Sequence, residues 1–104
     1  MRIATWNINS VRLRIHHVLR FIKEQNIDVI CLQETKTTDE NFPSEDFTKT
    51  GMKYQYYRGE KSYNGVAIVS RFEFQDFGYF NWCKKDDTRH IYAKINNNIE
   101  LHNF

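Results

Sequence analysis

The first 36 residues contain two short apolar runs with an amphipathic segment between them, and this order restricts the possible folds more than any other feature. The runs lead into the polar ends T-W-N-I-N (5–9) and Q-E-T-K (33–36). Residues 11–25 carry apolar side chains at helical spacing: Val11, Ile15, Val18, Leu19 and Ile22. The pattern predicts a strand, a helix and a second strand parallel to the first, with both carboxyl ends at one sheet edge. Asn7 and Glu34 are therefore expected to be neighbours.

This predicted edge offers one carboxylate oxygen and one amide oxygen. Hard oxygen donors of this kind suit Mg²⁺ or Mn²⁺, ions that keep most of their waters and take further ligands from a substrate phosphate. Zinc fits these donors poorly. The alternative interpretation is that Asn7 and Glu34 only cap strand ends and turns. Spacing alone leaves both interpretations open.

The rest of the chain has the pattern of a compact α+β domain without linker or repeat. A short helix capped by Ser44 is predicted over residues 45–49. Strands are predicted over residues 53–57 and 66–70, joined by a loop over 58–65, and near residues 90–95 and 99–103. Asn97-Asn98 is predicted to form the last hairpin turn.

Four motifs narrow the function: W-N-I-N-S-V-R (6–12), L-Q-E-T-K (32–36), Y-N-G-V-A-I (63–68) and R-H-I (89–91). In residue type, order and interval they closely resemble the exonuclease III type of apurinic/apyrimidinic endonuclease, a branch of the endonuclease/exonuclease/phosphatase superfamily. The motifs span nearly the whole chain.

The resemblance implies that residues 1–104 are the N-terminal portion of a single catalytic domain. The implied fold class is α+β, one half of a four-layer α/β sandwich in which a mixed sheet is flanked by a helix. Glu34 is implied to be the acidic metal ligand and a catalytic residue, and Asn7 to support the same ion. Asn9 and Lys36 would support the site. Some members of the family carry an aspartate at the position of Asn9, so the amide makes this site less negative.

The resemblance also implies that Arg12, Tyr63 and Arg89 contact the DNA backbone around the lesion. Arginine forks and hydroxyl groups are suited to phosphate oxygens in general. Each residue has an alternative role. Arg12 could be a solvated charge on the helix, Tyr63 an aromatic of the Asn64-Gly65 turn, and Arg89 an ion-pair partner of Asp86 or Asp87.

Several catalytic roles of the family have no counterpart in these 104 residues. They are the tyrosine that positions the phosphate, the aspartate and asparagine beside the attacking water, a further metal-binding aspartate, and a histidine that stabilises the phosphate charge. The four histidines lie in other motif contexts and are predicted to be surface or packing residues: His16, His17, His90 and His102. The chain by itself is expected to be inactive or nearly so.

The complete family enzyme is expected to be a DNA-repair phosphodiesterase. It would use magnesium to cleave double-stranded DNA 5′ of abasic sites and to remove nucleotides from 3′ ends. The alternative is a non-catalytic truncated fragment or a DNA-binding half-domain. A phosphatase or RNA-directed member of the superfamily is a third possibility, which Thr35-Lys36 and Arg12 disfavour.

Composition adds weaker constraints. A net charge of +2 does not by itself indicate nucleic-acid binding. The eight Phe, six Tyr and two Trp residues make an unpaired sheet face costly to expose, so self-association through such a face is predicted. Cys31 has the context of a small buried hydrophobe, Cys83 follows Trp82 in a loop-like stretch, and a zinc site is not expected. Without a signal pattern or a membrane-length apolar run, the prediction is a cytoplasmic protein with no membrane partner.

Overall fold

The computed structural model describes residues 1–80, 88–96 and 98–104. The strands are β1 (Ile3–Asn7), β2 (Val29–Gln33), β3 (Tyr54–Glu60), β4 (Tyr63–Ser70), β5 (Asp76–Gly78), β6 (Ile91–Ile95) and β7 (Ile99–Asn103). The helices are α1 (Ile15–Glu24) and α2 (Ser44–Lys49), with a 3₁₀ turn at Asp39–Asn41.

The predicted strand-helix-strand unit is confirmed. β1 and β2 are parallel and in register from the pair Ile3 and Val29 to the pair Asn7 and Gln33. α1 crosses between them and buries Val18 and Ile22 completely. The two strands therefore end side by side, immediately before the polar residues of both motifs.

The first helix begins four residues later than the predicted range 11–25. After β1 the chain continues alongside the chain that follows β2, and the Ser10 and Val11 amides donate to the carbonyls of Glu34 and Thr35. Asn9 and Ser10 both have positive φ. Residues held in this pairing cannot adopt helical hydrogen bonding, so α1 starts only at Ile15.

The larger sheet is mixed, with the strand order β1-β2-β4-β3. β4 is antiparallel to both β2 and β3. The predicted loop over 58–65 is wrong, because β3 and β4 form a long hairpin whose connection is only Lys61 and Ser62. The polar residues of this stretch give no strand pattern, and cross-strand pairing with β4 stabilises the strand.

The predicted Ser44 cap is also wrong, because Ser44 lies inside α2 and makes no side-chain cap.

A second, antiparallel sheet of order β5-β6-β7 covers the other face of the mixed sheet. Ile91, Ala93 and Ile95 of β6 pack against a layer of the mixed sheet that includes Val66 and Ile68. The expectation that this face lacks a partner is therefore wrong. Cys31 belongs to the same core, as predicted, and burial raises the pKa of its thiol to about 11.

β6 and β7 agree with the predicted strands, whereas β5 was not predicted. Asn97 of the predicted turn and Cys83 lie outside the described residues.

Among the described residues, β1 pairs only with β2 and β7 only with β6, so each has an open edge. Within the same ranges, no helix combines the length and the apolar composition needed to cross a membrane.

Candidate metal and phosphate site

A cavity of about 380 Å³ lies at the carboxyl ends of β1 and β2. Three structural regions contribute its lining. The ends of β1 and β2 supply Asn7, Gln33 and Glu34, and the start of β4 supplies Asn64, Gly65 and Val66. The segments that flank the second sheet, before β6 and after β7, supply Thr88, Arg89 and Phe104. The cavity therefore joins both sheets at one edge, where open α/β sheets generally bind ligands.

The structure brings four of the predicted site residues into direct contact. The Asn7 Nδ2 group donates a hydrogen bond to Glu34 Oε2. Lys36 Nζ donates to Asn9 Oδ1 at 2.6 Å and lies 3.6 Å from Glu34 Oε1. The Glu34 carboxylate is thus contacted by an amide on one side and an ammonium on the other, and the prediction that Asn7 and Glu34 are neighbours is confirmed.

The backbone around this cluster is strained. Asn9, Glu34 and Lys36 have φ values of 47°, 53° and 53°, in the left-handed region that non-glycine residues rarely adopt. Hydrogen bonds hold these turns, since the Ile8 amide donates to the Gln33 carbonyl at 3.0 Å and the Lys36 amide to the Asn64 carbonyl at 2.9 Å. The turns direct the polar side chains to the cavity end of the strands.

Gly65 permits β4 to pass directly behind this cluster. Its φ is +97°, and a Cβ at this position would lie 2.0 Å from Thr35 Oγ1. The buried Thr35 donates its amide to the Gly65 carbonyl at 3.2 Å. Only glycine satisfies both the left-handed conformation and the close approach.

The three predicted DNA contacts occupy different positions. Arg89 lines the cavity, whereas Arg12 and Tyr63 do not. Arg12 is exposed in the turn before α1, and Tyr63 is 69% exposed at the start of β4. The alternative partners of Arg89, Asp86 and Asp87, lie outside the described residues.

Six lining residues had no role in the sequence prediction: Gln33, Asn64, Gly65, Val66, Thr88 and Phe104. Four of them, Gln33, Asn64, Gly65 and Val66, fall inside the motifs, so the motifs themselves were an available signal. Thr88 and Phe104 flank the strands of the second sheet, and only the packing of the two sheets places them here.

The donor set is compatible with a hard cation that takes most of its ligands from elsewhere. In the described ranges, no group of three or more His, Cys, Asp or Glu side chains is arranged to hold a metal. Glu34 supplies one carboxylate, whose side chain is 44% exposed, and Asn7 supplies an amide oxygen. Magnesium is commonly bound through one or two carboxylates together with waters and substrate phosphates.

Two stacked sheets, a helix outside the mixed one and a polar site at the shared edge define an α/β sandwich with a ligand site at the ends of its strands. Residues 4–103 match the Endonuclease/Exonuclease/phosphatase family. The chain belongs to this family, and the resemblance found in the motifs is confirmed.

Two solved structures are similar to almost the whole of this chain. An AP endonuclease from Archaeoglobus fulgidus is 39% identical with a TM-score of 0.90, over 100% of this chain and 41% of that one. The 3′ phosphatase NExo from Neisseria, bound to a product DNA hairpin, is 32% identical with a TM-score of 0.90, over 98% of this chain and 40% of that one.

A curated relative, exodeoxyribonuclease III of Haemophilus influenzae, is 37% identical over 73 residues, which are 70% of this chain and 27% of the relative. The chain therefore spans about two fifths of the solved structures and about a quarter of this relative. The predicted fold class is confirmed by the solved structures, whose sandwich this chain matches in part.

Proposed function

We propose that this chain forms the metal-binding and phosphate-binding part of the active site of a DNA-repair phosphodiesterase, which acts beside abasic sites and at 3′ ends. The observation that carries the proposal is the contact between Asn7 and Glu34 in a cavity that Arg89 also lines. One cavity thus contains a carboxylate, which can bind a cation, and a guanidinium, which can bind a phosphate.

Glu34 and the Asn7 amide oxygen would hold Mg²⁺ or Mn²⁺. The bound ion supplies positive charge that polarises a phosphate and stabilises the leaving oxygen. The positive charge of Lys36 balances the negative charge of Glu34 when no cation is bound. The hydrogen bond from Lys36 also connects Asn9 to the same cluster. The Arg14 guanidinium donates to the Asn9 carbonyl at 2.5 Å and stabilises the turn that contains Asn9.

Arg89, Arg12 and Tyr63 would bind the DNA backbone on either side of the cavity. The exposure of Arg12 and Tyr63 leaves both groups accessible to a large ligand. The Neisseria relative was solved with a product DNA hairpin, and the Archaeoglobus relative is an AP endonuclease. These names support duplex DNA as the partner and an abasic site as the lesion.

A second candidate function is DNA binding without turnover by these 104 residues. The single carboxylate of the cavity favours it, because the described residues show no second acidic group beside Glu34. Self-association, where it occurs, would use the open edges of β1 and β7, since the second sheet covers the inner face of the mixed sheet.

Fluorescence anisotropy with a duplex carrying one abasic analogue tests the proposed DNA site. Arg89→Ala should weaken binding and lower the salt dependence by about one phosphate contact, similarly for different flanking sequences. Lys53→Ala is the matched control, because Lys53 is exposed beside the start of β3, at the opposite sheet edge. Equal losses in both variants, or a loss confined to one flanking sequence, would contradict the assignment of Arg89.

A further inference from the structure

Asn103, the last residue of β7, links the second sheet to the mixed sheet through its side chain. It is 2% exposed. Its Nδ2 group donates to the Leu32 carbonyl at 2.9 Å and to the Ala67 carbonyl at 2.8 Å. Its Oδ1 atom accepts from Gln33 Nε2 at 2.7 Å. Both amide hydrogens and the oxygen are therefore used in contacts between the sheets.

Gln33 extends this link to β1. Its Nε2 group also donates to Thr5 Oγ1 at 2.9 Å. The side chains of Asn103, Gln33 and Thr5 thus join β7, β2 and β1 by hydrogen bonds. The network lies immediately before Glu34, whose backbone turns into the left-handed region directly after Gln33.

The position of this network matters because the cavity is lined from both sheets. Asn7 and Glu34 lie at the ends of mixed-sheet strands, whereas Arg89 and Phe104 flank strands of the second sheet. The separation between the carboxylate and the guanidinium therefore depends on how the two sheets are held together. Asn103 and Phe104 are adjacent in the chain, so the hydrogen bonds of Asn103 lie directly beside the cavity wall.

We propose that Asn103 is a positioning residue for Glu34. Acting through Gln33 and the Leu32 carbonyl, it fixes the end of β2 and its distance from the second sheet. The proposal rests on the proposed function, because it takes Glu34 as the metal ligand. An amide is required at this position, since a carboxylate would direct oxygen toward the two carbonyls that now accept from Nδ2.

Manganese affinity, measured by electron paramagnetic resonance on protein that circular dichroism shows to be folded, tests the role. Asn103→Asp should weaken the affinity about tenfold, as is usual for groups that orient a metal ligand. Asn103→Ser, which keeps a short polar side chain, provides a milder variant if the aspartate prevents folding. Asn98→Asp is the matched control, because Asn98 is exposed in the turn before β7. Equal affinity in the Asn103 variants and the control would overturn the proposal.

A double-variant comparison tests whether Asn103 and Gln33 act on the site together. If Gln33 is one of the groups through which Asn103 acts, the variant carrying both Gln33→Leu and Asn103→Leu should lose little more manganese affinity than Asn103→Leu alone. Additive losses of affinity would overturn the proposal, because they would show that the two side chains act independently on the site.

The backbone amide resonances of Glu34 and Thr35 distinguish a failure of this proposal from a failure of the proposed function. If the unaltered chain binds no manganese, the proposed metal site is wrong. The positioning role of Asn103 can still be tested, because Asn103→Ser should shift these two resonances while Asn98→Asp leaves them in place. Unshifted resonances in Asn103→Ser would overturn the positioning role whatever the metal result.

Discussion

Glu34 is the residue on which we expect divalent-metal binding to depend, because it is the one carboxylate that lines the described cavity. Glu34→Gln keeps the size of the side chain but removes the charge that a hard cation requires. Manganese affinity should fall at least about tenfold. The exposed Glu73 lies beyond the end of β4, and Glu73→Gln provides a control with the same chemical change. An affinity equal to that of the control variant would remove Glu34 from the metal site.

Gly65 allows a separate test of the backbone that supports the site. Gly65→Ala combines a left-handed φ with a Cβ 2.0 Å from Thr35 Oγ1, so it should lower the free energy of unfolding by about 3 kcal/mol. Gly51→Ala is the matched variant, because Gly51 has a φ of +92° and its Cβ would come no closer than 3.3 Å to a flexible arginine side chain. It should cost about 1 kcal/mol. Urea denaturation measures both values, and equal losses would mean that the approach to Thr35 relaxes.

At the level of secondary-structure elements, a histidine pair connects the residue before β6 to β7. The buried His90 accepts a hydrogen bond from the Phe80 amide at Nδ1, and its Nε2 lies 3.0 Å from His102 Nδ1. Burial, followed by the nearby His102 and Arg58, lowers the pKa of His90. His90 is therefore neutral in the folded chain at pH values where an unfolded histidine is already charged.

This lowered pKa predicts a loss of stability in acid. The unfolded chain binds the extra proton first, so the stabilisation is complete above the ordinary histidine pKa of about 6.5 and is lost as the pH falls through the lower folded value. The urea midpoint should decrease between pH 7.5 and pH 5, and His90→Phe should flatten that decrease. His16→Gln, on the exposed side of α1, should leave the decrease intact. An unchanged pH dependence in His90→Phe would show that other groups cause it.

The sequence predicted elements well where local periodicity and burial coincide. β1, α1 and β2 follow from apolar spacing because each buries a face defined by its own residues. The late start of α1 and the length of β3 could not be predicted in this way. The late start of α1 depends on pairing with a distant segment, since the Val11 amide donates to the Thr35 carbonyl. The length of β3 depends on pairing with the neighbouring β4, in which Glu60 pairs with Tyr63 across a tight turn.

For the whole molecule, strand topology made only one side of the site predictable, whereas Arg89 on the other side was predicted from the motif resemblance. Asn7 and Glu34 follow from the topology of parallel strands, and their contact is a consequence of that topology. Asn103 and Phe104 reach the same region only because the second sheet packs on the first, through contacts such as that between Gln33 and Asn103, which are 70 residues apart in the sequence. No local pattern reports such a contact.

We expect the 104-residue chain by itself to show no more than trace, metal-dependent cleavage of a duplex with one abasic site. Positioning, activation of water and stabilisation of phosphate charge act together in such sites, and the described cavity provides only one carboxylate for them. Incubation with magnesium, with a chelator and with the Glu34→Gln variant as controls measures the activity. Robust incision that the chelator abolishes would contradict this expectation.

The left-handed backbone at Glu34 and Lys36 has a consequence for directed evolution of this protein. Glycine or asparagine would occupy both positions with less strain, at a gain of about 1 kcal/mol each. A library selected only for thermal resistance would therefore enrich replacements at these two positions and remove the carboxylate and its ammonium neighbour. Selection for stability and selection for ligand binding would thus favour different residues at the same two positions.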